Sequence, residues 1–247
     1  MKKKFIEKKN TKIDYSLVEK VFESRLKKKK NPISAVMLQN DEKNKLPEQR
    51  NSYESSFVTQ NILPMDDAFV LDVGCGAGRV ASILPNNIGG YFGFDASSSL
   101  IDNAKKIFSS EKFSFSHMGV EEFLSANVLD VSVDIAFIVG FSIYINDEDL
   151  ISLYRYIAEK MSETRGAYIY VRESLSRELH RLTLKDHYSK ELDMHYSAIY
   201  RTDSEYKQLF KPFLDTGFKI AQEGFFPDEL QNRTETGLKY YLFKREK

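Results

Sequence analysis

The chain has only one cysteine, Cys75, among 247 residues, so no disulfide can close within it, which fits a reducing cytoplasm. No apolar stretch approaches about 18 residues, and no membrane span is expected. The opening Met1-Lys2-Lys3-Lys4-Phe5-Ile6-Glu7 lacks the apolar centre of a secretion signal. Its 4 histidines show no compact His/Asp ligand spacing, and no metal is expected. There is no internal repeat, and no low-complexity segment beyond the lysine runs. Net charge is absent too, with 36 basic against 36 acidic residues. The balance is uneven, however: residues 1–30 hold twelve Lys or Arg and four acidic residues. Lys27 to Lys30 suit either contact with RNA or an anionic surface, or a solvated helix end. The second account fits the one-sided stripe Tyr15, Val18, Phe22 and Leu26 and the preference of lysine for helix C-termini.

An apolar content of 42%, with 18 Phe and 14 Tyr, is ample for a core, and the length fits one α/β domain plus an extension. The most informative stretch is Val70-Leu71-Asp72-Val73-Gly74-Cys75-Gly76-Ala77-Gly78-Arg79. An apolar strand meets an acidic residue, then glycine at every second position. Gly74, Gly76 and Gly78 supply positive-φ freedom and remove Cβ atoms that would keep a ligand away. A helix is expected from about Ala77 to Leu84, its free N–H groups aimed at the same space. The dinucleotide pattern G-x-G-x-x-G is not met, because Arg79 stands at its third glycine. No Gly-Lys-Ser/Thr follows either, which excludes the phosphate P-loop. About 20 residues on, Tyr91-Phe92-Gly93-Phe94-Asp95 ends a second strand at the spacing of a ribose-binding carboxylate.

The D-V-G-C-G-A-G-R run resembles the first motif of class I S-adenosylmethionine-dependent methyltransferases. The resemblance covers about residues 66 to 172 and resumes in Gly217 to Phe225 and Gly237 to Lys244, as a closing antiparallel strand pair. It implies S-adenosylmethionine as cofactor, held by Asp72, Gly74, Cys75, Gly76, Asp95 and Ala96. Phe113 to His117 reads as the third strand. Met118-Gly119-Val120 then matches the adenine-contacting loop, with Gly119 where the family usually has an acid. After the apolar run Val131 to Val139, Gly140 and Phe141 fall where the family lines the methionine arm. In this family N-terminal helices often lid the cofactor. Arg50 and Tyr53, on a helix from about Glu48 to Ile62, are then candidates for the methionine carboxylate, against a plain surface arginine.

Strands alternate with helices, which argues for an α/β fold with a parallel sheet covered on both faces. The resemblance implies a doubly wound, mostly parallel seven-stranded sheet with helices on both faces, plus an N-terminal helical extension. Residues 1–64 form that extension or lid, and residues 65–247 the methyltransferase domain. Within the extension, a helix of Asp14 to Lys30 breaks at Asn31-Pro32, and Asp41 to Pro47 is a polar connector. Asn146 is a candidate cap for the helix to about Glu163, Gly166 to Val171 is the next strand, and Thr202 with Glu205 forms a capping box.

Residues 172–201 are longer than an ordinary connection and hold three of the four histidines. They read either as an acceptor-binding insertion or as an exposed helical one. In the first reading His195 and His187 are candidate bases. Tyr144, Arg172, Tyr188, Tyr200 and Arg201 would then hold a small polar acceptor that is anionic and bears sugar or phosphate, with methylation at oxygen. A loose resemblance of the C-terminal strands to enzymes of bacterial surface-polysaccharide pathways suggests a nucleotide-linked sugar or a phosphorus-containing precursor. The rivals are an RNA methyltransferase, resting on the basic N-terminus alone, and a non-catalytic cofactor-binding partner subunit. The expected state is a cytoplasmic monomer or homodimer.

Overall fold

In β1 (Phe69–Val73) the side chains alternate between two layers: Val70 faces one, Leu71 and Val73 the other. β4 (Ile135–Val139) repeats this, with Ile135 and Phe137 beside Val70, and Ala136 and Ile138 beside Leu71. Strands apolar on both faces must be covered on both. The computed structural model describes residues 11–28, 45–62, 65–189 and 194–247. In it β2 (Gly90–Asp95), β3 (Phe113–His117) and β5 (Ala167–Ser176) join β1 and β4 in parallel. β8 (Lys219–Phe225) and β9 (Thr236–Arg245) complete the sheet antiparallel. The order is β3-β2-β1-β4-β5-β9-β8, the expected seven-stranded, mostly parallel sheet. It reverses direction of winding between β1 and β4, where open sheets leave a crevice at the strands' carboxyl ends.

Helices cover both faces. α2 (Leu46–Asn61) and α3 (Ser98–Ile107) bring Val58, Ile101 and Ala104 to one. α4 (Val120–Ala126), α5 (Asp147–Lys160), α6 (Asp203–Leu209) and α7 (Lys211–Asp215) bring Phe123, Tyr154, Tyr206 and Phe213 to the other. Each such fully buried large side chain contributes about 1.5–3 kcal/mol. α6 begins with the expected capping box of Thr202 and Glu205.

Three local expectations are corrected. The helix from Ala77 to Leu84 is only a 3-10 turn, Ala81–Ile83. Gly76 and Gly78 have φ of +55° and +84°, outside the helical region, and Leu84, preceding Pro85, is extended at ψ 142°. Asn146 occupies the N-cap position of α5 as expected, but its side chain makes no capping bond there; its Oδ1 instead accepts the Ile13 amide at 2.9 Å. Residues 172–201 begin inside β5 and continue as a hairpin of β6 (Leu182–Ser189) and β7 (Met194–Tyr200), with no helix among the described residues.

This hairpin shares a small apolar cluster with Ile143 and Tyr144, and Val18 and Phe22 of α1 (Tyr15–Lys28) pack against it. The stripe on α1 is thus half of a roof, pinned at one end by Tyr15 donating to Asp149. Glu23 pins the helix farther along, accepting from the Ser97 hydroxyl at 2.7 Å and the Ser99 amide at 3.1 Å. Lys29, Lys30, Asn31 and Pro32, Pro64, and the side chains of Leu26, Lys27 and Lys28 lie outside the described residues, as does most of the expected connector.

Candidate active site

Between the glycine loop and the roof lies a cavity of about 600 Å³, a size suited to a cofactor-sized molecule. Its floor begins at Gly74, where φ is +68° and a Cβ would run into the Phe141 ring. The Cys75 amide donates to the Phe94 carbonyl at 3.0 Å, fastening the loop to β2. Cys75 itself is buried, and burial pushes its thiol well up, so it stays protonated. Asp95, at the end of β2, accepts the Gly76 amide at 3.0 Å on one carboxyl oxygen and the Ser97 amide at 2.8 Å on the other. Each oxygen keeps a further acceptor position for a ligand. Burial raises the Asp95 carboxyl, and it raises that of buried Asp72, bonded to the Tyr91 hydroxyl at 2.7 Å, to about 7.

All twelve residues expected at the cofactor, Asp72, Gly74, Cys75, Gly76, Asp95, Ala96, Met118, Gly119, Val120, Gly140, Phe141 and Arg50, line this cavity. Arg50, however, is engaged with the tail, donating to the Leu230 carbonyl at 2.7 Å and Asn232 Oδ1 at 3.0 Å. Tyr53 packs at a tilt against the Phe226 ring. A different acid–base cluster dominates the floor. Glu54 of α2 is buried, paired with Arg79 at 2.7 Å and forked by Arg172 at 2.9 and 3.2 Å. Burial alone would raise Glu54, but the two guanidinium groups hold it at about 2. Arg79 and Arg172 both line the cavity, and Arg172 Nη1 lies 3.3 Å from where a Gly140 Cβ would stand. Sequence reading missed Glu54 and Arg79. Arg79 sits in the motif, but nothing in a polar helix marks Glu54 as the acid between two arginines.

The set fits S-adenosylmethionine. It offers an acceptor for a diol at Asp95, open space at Gly119 where no atom lies within 4 Å of a would-be Cβ, and a guanidinium for a carboxylate at Arg172.

The opposite wall holds Tyr144, Tyr196 and Tyr200, all buried. Tyr196 Oη lies 3.0 Å from Tyr200 Oη and 3.4 Å from Tyr144 Oη, and Arg233 reaches Tyr200 Oη at 3.4 Å. Of the expected acceptor residues, Tyr144, Arg172 and Tyr200 therefore meet at the cavity, and the others do not. Arg201 is fully buried away from it, donating to the Ser142 carbonyl at 2.7 Å, the Ile145 carbonyl at 2.6 Å and Asp147. Tyr188 is exposed and edges against His195. His195 itself faces Asp186 at 2.9 Å on the hairpin's outer side, and His187 also lies off the lining. Strand alternation turns Tyr188 and His195, which pair with each other, to the face opposite Tyr196, whereas His187 pairs with Tyr196 and shares its face without reaching the lining. The histidine that does line it is His117, with Nε2 3.1 Å from the Ala96 carbonyl.

Among the described residues no helix is long and apolar enough to cross a membrane, and no group of three His, Cys, Asp or Glu is placed to hold a metal ion.

Residues 70–163 match the family model of a methyltransferase domain. No curated protein matches the chain. Solved structures of similar fold include a SAM-dependent methyltransferase of Leishmania major, at 18% identity and TM-score 0.66 over 93% of this chain and 82% of that one. Another is phosphoethanolamine N-methyltransferase 1 of Haemonchus contortus, in complex with phosphoethanolamine and S-adenosylhomocysteine. It aligns at 18% identity and TM-score 0.68 over 93% of this chain and 48% of that one. Magnesium protoporphyrin IX methyltransferase of Synechocystis, with bound SAM, aligns at 13% identity and TM-score 0.61 over 96% and 100%. Identities this low speak to the fold. The matched segment forms the glycine cradle, so residues 70–163 carry the mark of a methyltransferase domain.

Proposed function

We propose that the chain is an S-adenosylmethionine-dependent methyltransferase that acts on a small polar acceptor bearing an anionic group and transfers the methyl group to oxygen. The observation that carries the reading is the run of hydroxyls from Tyr144 through Tyr196 to Tyr200, ending on Arg233. Burial pushes the Tyr196 phenol well up, so it remains a donor and does not serve as a base. A wall of donors beside a guanidinium favours an acceptor oxygen that is already negative. Such an oxygen needs alignment more than deprotonation, which agrees with the absence of His187 and His195 from the lining. A phosphorus-containing precursor of a surface polysaccharide fits that chemistry, and a nucleotide-linked sugar fits it where the accepting oxygen is ionised and not a hydroxyl.

S-adenosylmethionine supplies a methyl carbon activated by a sulfonium, which leaves as the thioether. For holding it we assign Asp95 to the ribose hydroxyls and Met118, Gly119 and Val120 to the adenine. Gly140 and Phe141 border the methionine arm. Arg172, backed by Glu54 and beside Arg79, takes the methionine carboxylate in place of Arg50.

A second reading, transfer to an amine of a phosphate-bearing acceptor, is favoured by the fold's likeness to a structure holding phosphoethanolamine. Incubation with methyl-labelled S-adenosylmethionine and a panel of nucleotide sugars, phosphate monoesters, carboxylates, amines and RNA tests both. Label on an oxygen of an anionic small molecule is the expected result, and label on an amine selects the second reading. Label confined to RNA overturns both. Cofactor binding without transfer to any member supports the non-catalytic subunit.

A further inference from the structure

Glu173 follows Arg172 on β5 and points to the other face of the sheet, where it is fully buried. Its Oε1 accepts two backbone amides, Phe141 at 2.9 Å and Ser142 at 2.7 Å. Its Oε2 is buried with no hydrogen-bond partner. These amides belong to the turn after β4, which opens at Gly140 with φ +67°. Phe141 then lays its ring where a Gly74 Cβ would otherwise be. Glu173 therefore reaches the glycine loop through one intermediary, although it does not itself line the cavity.

We propose that Glu173 is a positioning residue for the donor site: its ionised carboxylate grips the Phe141–Ser142 backbone, and Phe141 in turn closes against Gly74. The inference rests on the cradle being where S-adenosylmethionine binds.

A carboxylate accepting amide N–H groups makes bonds roughly twice as strong as a neutral acceptor makes. Protonation on the vacant Oε2 would leave Oε1 in place but remove that charge. The groups facing Glu173 are Arg172 on its own strand, Lys239 paired with it on β9, Tyr154 of α5 and Tyr206 of α6. None of the four makes a hydrogen bond to Oε2. Burial outweighs the two amides and Arg172 and raises Glu173 to about 7. The grip is thus present above that pH and relaxes as pH falls through it.

Global stability runs the other way. A carboxyl raised on folding contributes stability that is full below its unfolded value and is lost as pH rises through the folded one. Lowering pH from 8 to 6 therefore favours the fold as a whole while loosening one turn within it.

Hydrogen exchange of the amides of Phe141 and Ser142, corrected for intrinsic rates, reads the grip without any ligand. In the wild type, protection of these two should fall about tenfold from pH 8 to pH 6, while the thermal midpoint holds or rises. Glu173→Gln, which keeps Oε1 and removes the charge, should show the low protection at both pH values. It should also bind S-adenosylhomocysteine about fivefold more weakly at pH 8, with the difference closing at pH 6. Unchanged protection across this range in the wild type overturns the proposal, whether or not the variant folds. So does a variant that keeps the wild-type pH slope. Wild type that fails to bind S-adenosylhomocysteine at either pH, with its exchange behaviour as expected, would instead count against the cradle as donor site. Asp72, also raised to about 7, can move affinity with pH, but its bond to Tyr91 leaves the two amides untouched.

Discussion

The two ends of the cavity are assembled differently. At the donor end, Gly74 to Gly78 and Asp95 come from two adjacent strands and their loops, and backbone amides hold the pieces together. At the end we propose for the acceptor, Tyr144, Tyr196, Tyr200 and Arg233 arrive from a turn, a hairpin and a tail, and side chains hold them together. A backbone cradle tolerates little change, because its geometry is set by φ values only glycine adopts easily. A side-chain wall can be repainted residue by residue. The fold therefore fixes the donor more firmly than the acceptor, in keeping with the general rule that function lies in sites carried by a fold.

Four substitutions probe this contrast. Arg201→Met should lower unfolding stability by about 3–5 kcal/mol, because two buried carbonyls and Asp147 lose their donor. Urea denaturation measures it; a loss under about 1 kcal/mol, with a raised acceptor KM, would return Arg201 to the acceptor site. Asp95→Ala should weaken S-adenosylhomocysteine by about 10- to 100-fold, since a charged acceptor is worth about 1.5–3 kcal/mol, and should leave acceptor KM alone. Equal affinity in calorimetry would give the ribose to another group. Tyr200→Phe should raise acceptor KM about fivefold, one hydrogen bond's worth, with cofactor affinity unchanged. Movement of both constants together would mean that the two ends are not independent. His195→Ala should change kcat by less than about twofold. A loss of about 100-fold or more, as removal of a general base produces, would make it catalytic after all.

The glycine cradle and the elements around it were legible because their signals are local. Glycine spacing, the acid after β2 and the Thr202 box each speak through neighbouring residues. The failures were failures of placement. His187 and His195 are the right residue type for a base, but an unanticipated hairpin carries them: His195 falls on the face opposite Tyr196, and His187, on the face of Tyr196, stays off the lining. Arg201 has the right chemistry for an anion and instead closes carbonyls beneath the Ser142–Tyr144 turn. Even within the motif, a helix was expected where Gly76, Gly78 and Pro85 permit only a 3-10 turn. Glu54 and Glu173 were invisible for a related reason: each matters only because a distant strand delivers its partners.

Glu54 also bears on what the smallest working version of this molecule is. The acid sits on α2, before the sheet begins, while the cations it neutralises belong to the glycine loop and β5. A fragment starting at residue 65 would press Arg79 and Arg172 together with no counter-charge, and an uncompensated buried charge costs about 3–5 kcal/mol. In any exchange of N-terminal helices between enzymes of this design, the incoming segment must bring an acid to that one spot. The sheet supplies two-thirds of an ion triad and leaves its neighbour to complete it.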